Sequence, residues 1–236
     1  MLAIYKREMR AFFSGPVGYV FVAIFFAVSA GIFMSLTVQK GDSANYQNYF
    51  TYVIMLCIIE IPLLTMKLVS EERKMKTDQL IVTAPVSLFG IVMAKFLAAY
   101  TLFGGSFLVS SIIYYIPLKA YGTPESATYI GSVIAVLLIG AAFVAIGEFI
   151  SSLTENQFLA AFGTVAVLAL LIFAQNINTY VNSEFLRRIF SAISVTSRFT
   201  YFMYGLFDWA SFIYFLSLSA LFIFLTVRVF ERRRWS

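Results

Sequence analysis

The sequence predicts an all-α integral membrane protein with six transmembrane helices. Two observations support this fold class. The 236 residues are 61% hydrophobic and only 12% charged, with a mean hydropathy of +0.86. Six long apolar runs, separated by short polar joints, lie at 17–38, 49–68, 91–117, 129–150, 158–174 and 209–227. About 20 apolar residues in a helix cross the hydrocarbon core of a bilayer, and a backbone inside lipid must satisfy its own hydrogen bonds.

The positions of the positive charges predict the orientation. If both termini are cytoplasmic, 12 of the 17 Lys and Arg residues fall on the inner side, with Lys95 counted among them, and 5 on the outer side. The positive-inside rule then favours six spans with both termini in the cytoplasm. We expect a multi-pass protein of the cell inner (plasma) membrane. Because the net charge of +5 sits in these joints, it does not indicate a nucleic-acid partner.

Histidine is absent from the sequence, and Cys57 is its one cysteine. An internal disulfide is therefore impossible, and a metal site would need carboxylates alone. Imidazole is also missing as a general base, which excludes most catalytic arrangements of membrane hydrolases. We expect a protein that is not an enzyme and that holds neither a metal nor a cofactor.

The segment 1–14 is predicted to be an amphipathic helix at the membrane interface. Apolar residues recur in it at helical spacing, and cations lie between them. Gly15 and Pro16 then break this helix and turn the chain into the first span.

The joint 70–88 between the second and third runs is the most charged part of the chain. Its acidic residues come first and basic ones follow, which favours a helix over 71–84 that Pro85 ends. Charge alone leaves two interpretations equally open: a solvated linker or a docking element for a partner.

Residues 177–208 are too polar to span the membrane cleanly and too apolar for a solvated loop. We expect one or two amphipathic helices there, in or near the outer leaflet. The whole chain, 1–236, is then one membrane domain.

Two carboxylates fall within apolar runs. Glu60 lies two residues before Pro62, which frees a helix carbonyl, so both residues are candidates for a polar transport path, with a structural hydrogen bond as the equal alternative. Glu148 is expected near the inner interface. Gly140, Val144 and Gly147 form a small-residue face suited to close helix packing.

Several segments together resemble a known family. In the charged joint these are Glu71, Glu72 and Arg73, then Thr77, then 80–87 with Leu80 and Pro85. Residues 94–96 follow just after the joint. The other matching segments are 4–8, 15–20, 61–66, 140–147, 150–157 and 224–228. In order and placement they resemble the ABC-2 type permeases, the membrane subunits of one class of ATP-binding-cassette exporters, most closely the short subgroup named for the gliding-motility exporter permease.

The resemblance implies a permease that moves an amphipathic or lipid-linked substrate outward. The joint 70–88 would be its coupling helix, which contacts a cytoplasmic ATPase through residues that include Glu71, Glu72, Arg73, Lys76, Thr77, Leu80 and Pro85. ATP and Mg²⁺ would be bound by that separate subunit, since no G-x-x-x-x-G-K-[ST] motif occurs here. Partners would be ATPase subunits, a second permease copy in a homodimer, an auxiliary membrane protein and the lipid bilayer. The resemblance assigns no role to Glu60 or Glu148, because apolar residues are usual at those positions.

Two other functions remain open from the residues. A proton-coupled secondary transporter could use Glu60, although the chain shows no inverted repeat. An intramembrane enzyme would have to recruit Ser151, Ser152 or Lys95 without histidine. Association with an ATPase would separate the permease from both.

Overall fold

The computed structural model describes residues 1–38, 46–76, 87–121, 124–178 and 183–234. Within these ranges the chain is all helical, and six helices are long and apolar enough to cross a membrane. The predicted fold class is confirmed. Of the residues proposed for the charged joint, Thr77, Leu80 and Pro85 lie outside the described ranges.

The helices follow one another in a simple order. They are α1 (Leu2–Ser14), α2 (Pro16–Phe33) with a π-helical turn at Met34–Val38, α3 (Tyr46–Thr65), α4 (Ser70–Lys74), α5 (Leu88–Tyr121), α6 (Ser126–Leu153), α7 (Gln157–Asn178), α8 (Glu184–Ile193), α9 (Val195–Met203) and α10 (Trp209–Arg234). The spans are α2, α3, α5, α6, α7 and α10.

The spans form an inner and an outer group. In α3, α5 and α6, 56–61% of the most apolar window is buried within the chain, whereas the figure is 28–33% in α2, α7 and α10. Helix α6 packs against α3, α5, α7, α9 and α10 and forms the centre of the bundle. The outer spans keep large apolar faces uncovered by this chain, which is the pattern expected of helices that face lipid or another apolar surface.

The small-residue face of α6 is used within the chain. A Cβ atom on Gly140 would lie 2.0 Å from Cε1 of Phe103 on α5, and one on Gly147 would lie 2.3 Å from Oγ1 of Thr65 on α3. The prediction of close helix packing is confirmed. The same face is therefore not free to join a second copy of the chain.

Helix α1 is amphipathic and separate from the first span, as its sequence predicts. Glu8 and Phe12 are buried against the bundle, whereas Leu2, Lys6 and Arg10 are exposed. Gly15 has an extended backbone, and Pro16 occupies the first turn of α2, where its missing N–H has no helical acceptor to lose. The chain therefore bends between α1 and α2, and we call this bend the elbow.

The region 177–208 contains two short helices in its described part, α8 and α9. Helix α8 leaves Phe185, Leu186 and Ile189 exposed, and α9 buries Val195, Phe199 and Phe202 against the bundle. The expectation of one or two amphipathic helices is confirmed as two in these residues.

Candidate functional site

Most charged residues that the structure describes lie at one end of the bundle, which we call the charged end. It is formed by α1, α4, the last turns of α6 and α10, and the first turns of α5. Lys119 on α5 and the start of α6 lie at the opposite end. Both described ends of the chain therefore lie on the same side of the bundle.

Lys95 is the centre of the charged end. Its side chain is 0% exposed, and its Nζ lies 3.1 Å from Oε1 of Glu8 on α1 and 2.9 Å from Oε2 of Glu72 on α4. The Nζ group also donates a hydrogen bond of 2.7 Å to the carbonyl of Leu68. The expectation that Lys95 is a cation of the inner joint is wrong, because the residue is buried within α5.

Arg7 completes this group. Its Nη2 lies 2.7 Å from Oε1 of Glu8 and 2.7 Å from Oε1 of Glu72. Burial lowers the pKa of Arg7, but the two carboxylates outweigh this and raise it above its ordinary value. We call Arg7, Glu8, Glu72 and Lys95 the Lys95 cluster. It contains two positive and two negative groups, so its formal charge is balanced, as a buried ionic group requires.

The Lys95 cluster joins elements that are far apart in sequence. Glu8 comes from α1, Glu72 from α4 and Lys95 from α5. Breaking one ion pair would leave an unbalanced charge in a poorly hydrated site. The cluster therefore holds the amphipathic helix α1, the short helix α4 and the central span α5 in one arrangement.

Helix α4 is also fixed to α6. The hydroxyl of Ser151 accepts hydrogen bonds of 3.2 Å from the backbone N–H groups of Val69 and Ser70, and it donates one of 3.2 Å to the carbonyl of Met66. Arg73 donates to the carbonyl of Ser152 at 3.3 Å. The turn from α3 into α4 is thus anchored on the last residues of α6.

The arginines at this end lie beside the carboxyl end of α6. Arg73 pairs with Glu155 at 3.3 Å, and Arg233 from α10 also donates to the carbonyl of Ser152. Cations at this position stabilise the unpaired carbonyls and the negative end of the helix dipole. The ends of α4, α6 and α10 are consequently held together.

The predicted helix over 71–84 does not continue past Lys74. Lys76 has a φ of +54°, in the left-handed region that an α-helix cannot include. The charges of α4 also pair with other elements rather than along the helix, since Glu72 meets Arg7 and Lys95 while Arg73 meets Glu155.

The side chains proposed for ATPase contact differ in exposure. Glu72 is used inside the Lys95 cluster, and Glu71 and Arg73 are half-buried. Lys74, Met75 and Lys76 are exposed, with Met75 60% exposed. We call Lys74, Met75 and Lys76 the α4 tip. It is the part of the described joint that a soluble partner can reach.

Glu148 is fully buried, so the expectation of an interfacial carboxylate is wrong. It lies in α6 close enough to Lys95 and Glu8 to interact with both electrostatically. Neither of its oxygens has a hydrogen-bond partner among the described residues. Glu148 therefore extends the charged end into the centre of the bundle.

Glu60 and Pro62 both lie inside α3, which continues through the proline. Glu60 is 1% exposed, and neither of its oxygens has a hydrogen-bond partner among the described residues. Gly147, the neighbour of Glu148, faces Thr65 at the end of α3, and Glu60 precedes Thr65 by more than one helical turn. Glu60 therefore lies farther from the charged end than Glu148 does. The two carboxylates are separate sites rather than one pair.

Three features of the charged end were not identified from the sequence: the burial of Lys95, its pairing with Glu8 and the anchoring role of Ser151. A lone lysine within an apolar run was the available signal, because such a residue must find a carboxylate or water. No known family model matches the chain, and no curated protein gives a significant sequence match. The chain is a multi-pass helical membrane protein.

Proposed function

We propose that this chain is the permease subunit of an ATP-binding-cassette exporter, powered by ATP that a separate cytoplasmic subunit hydrolyses. The observation that supports it is the construction of α4: a short charged helix with an exposed tip, joined by ion pairs and hydrogen bonds to α1, α5 and α6. The resemblance to ABC-2 type permeases gives the same segment the role of the ATPase contact.

The connections of α4 explain how such a contact would act. A displacement of the α4 tip would be transmitted through Glu72 to Lys95 and through Ser70 to Ser151. These residues belong to two central spans, so a motion of the partner would reach the middle of the bundle without crossing a flexible linker. Packed elements with fixed polar contacts transmit displacement in this way.

The docking surface is the α4 tip rather than the acidic start of the helix. Lys74 and Lys76 are exposed and positive, which favours an acidic patch on the partner. Changing Glu72 would break the Lys95 cluster and would therefore test folding instead of docking.

Transport by this chain would involve two copies in the plasma membrane, with the charged end in the cytoplasm. Since α6 uses its small-residue face internally, the contact between copies would have to involve the apolar faces of α2, α7 or α10. The substrate would be amphipathic or lipid-linked and would move outward.

Co-purification tests this proposal. The tagged full chain, extracted from its own membranes in mild detergent, should carry an ATP-hydrolysing subunit. Lys74→Glu with Lys76→Glu should release that subunit, while Lys119→Glu at the opposite end should not. If the unmodified chain purifies without any ATPase under conditions that preserve its fold, the proposal is contradicted.

A proton-coupled secondary transporter is the second candidate, favoured by the buried Glu60 whose oxygens have no hydrogen-bond partner among the described residues. Under that function Glu60→Gln would abolish transport driven by a proton gradient, and no ATPase would be required. Under the exporter proposal the same variant should still retain the ATPase.

A further inference from the structure

A groove opens at the charged end between the elbow and α4. Its volume is about 490 Å³, and Phe12, Val17 and Leu68 form apolar parts of its wall. Helix α2 begins at Pro16 and α3 ends at Thr65, so the groove lies beside the ends of two spanning helices. We call it the elbow groove. We expect it to lie near the level of the lipid headgroups.

The charged residues that line the elbow groove fall into two sets. Arg7, Glu8 and Glu72 belong to the Lys95 cluster and are neutralised there. Lys67 and Glu71 are half-buried in the wall, and neither forms an ion pair with a residue that the structure describes. The groove thus presents one cation and one anion that this part of the chain leaves available.

We propose that the elbow groove binds a phospholipid whose headgroup carries a primary ammonium, as in phosphatidylethanolamine. Its phosphate would pair with Lys67, its ammonium would donate hydrogen bonds to Glu71, and the adjoining glycerol and acyl carbons would lie along Phe12, Val17 and Leu68. This proposal does not depend on the proposed transport function.

The charge pattern selects this headgroup over the other common ones. A headgroup without an ammonium leaves Glu71 beside a net negative lipid, which is unfavourable. A quaternary ammonium has no N–H to donate to the Glu71 carboxylate, whereas a primary ammonium has three. A zwitterion with a primary ammonium satisfies both side chains at once.

Native mass spectrometry of the full chain can test this. The protein is placed in nanodiscs containing equal amounts of phosphatidylethanolamine, phosphatidylcholine and phosphatidylglycerol, released, and the lipids that stay bound are counted. We expect phosphatidylethanolamine to be retained about tenfold more than either of the others, the ratio that one charge-assisted hydrogen bond supplies.

Two variants separate the roles of the two side chains. Glu71→Gln should strongly reduce the preference among the three lipids, because the amide oxygen lacks the negative charge that pairs with the ammonium. Lys67→Gln should lower retention of all three, because they share the phosphate. Lys6→Gln, at an exposed lysine of α1 outside the groove, is the matched control and should change neither result.

Three results would overturn the proposal. One is equal retention of the three lipids by the unmodified protein, which needs no variant to fold. The second is an undiminished preference in Glu71→Gln. The third combines two observations: no lipid stays bound, and Lys67 is protected from amine labelling when a second copy or a soluble partner is bound. That result would make the groove a protein interface.

Discussion

Replacing Lys95 with methionine is expected to destabilise the folded bundle strongly. Methionine has nearly the length of lysine and removes the charge without opening a large cavity. The Nζ atom lies 3.1 Å and 2.9 Å from two carboxylates, and the side chain is 0% exposed. At an effective dielectric constant of about 20, opposite charges about 3 Å apart attract by about 5 kcal/mol.

The desolvation of the charged groups offsets much of that attraction. The desolvation cost of the two carboxylates remains, however, when the lysine that pairs with them is removed. Glu8 and Glu72 would remain largely buried with only the half-exposed Arg7 to balance them. Removing one member of a buried ion pair costs about 3–5 kcal/mol, and we expect a loss within that range for Lys95→Met.

The assay is reversible unfolding in mixed micelles titrated with a denaturing detergent. Lys74→Met is the matched control, because Lys74 is exposed and lies outside the Lys95 cluster, and it should change the free energy of unfolding by less than about 0.5 kcal/mol. The triple variant Lys95→Met, Glu8→Gln, Glu72→Gln should recover part of the loss, since it removes the unbalanced carboxylates. A loss below about 1 kcal/mol for Lys95→Met would refute the conclusion that the cluster joins α1, α4 and α5.

Three further predictions concern other contacts in the bundle. Gly140→Ala should cost about 1–3 kcal/mol in the same assay, because the new Cβ would overlap the Phe103 ring. Gly105→Ala should be neutral or slightly stabilising, because its new Cβ would meet no other described part of the chain within 4 Å apart from its own local backbone; equal effects would contradict the packing. Ser151→Ala should cost about 1–3 kcal/mol, because it leaves the N–H groups of Val69 and Ser70 without the Ser151 acceptor. Ser152→Ala should cost less, since among the described residues that hydroxyl donates only to the carbonyl of Phe149 in its own helix. Asp208 accepts hydrogen bonds at the start of α10, and the Ser211 hydroxyl holds the pKa of Asp208 below its ordinary value of 3.8, so its stabilising effect should be present above that value and be lost as the pH falls through the lower folded value. Asp208→Asn should remove this part of the acid dependence of thermal stability, and an unchanged pH profile would contradict it.

The long apolar helices were predictable because their signal is local. The length and hydropathy that identify a span are properties of each run by itself. Because a backbone inside lipid must satisfy its own hydrogen bonds, such a run forms a helix. The break at Gly15 and Pro16 was equally local, since the two residues act on their own backbone.

The charged end was not predictable, because its contacts join distant residues. Glu8 and Lys95 are separated by 87 positions, and nothing in either neighbourhood specifies the other. Position along an apolar run suggested that Lys95 was a joint cation and Glu148 an interfacial carboxylate, yet both are buried, and Lys95 lies beneath residues of α1 and α4. The end of α4 at Lys74 was missed for a related reason, since favourable charge order does not require the backbone to remain helical.

Site-specific photo-crosslinking from the α4 tip tests the proposed function most directly. A benzophenone side chain placed at Lys74 or at Lys76 of the full chain, in its own membranes, should form an adduct with a protein that contains a G-x-x-x-x-G-K-[ST] motif and binds ATP. The same probe at Lys119 should form no such adduct. Crosslinks from the α4 tip only to lipid or to another copy of the chain would contradict the assignment of this protein as an ATP-driven permease subunit.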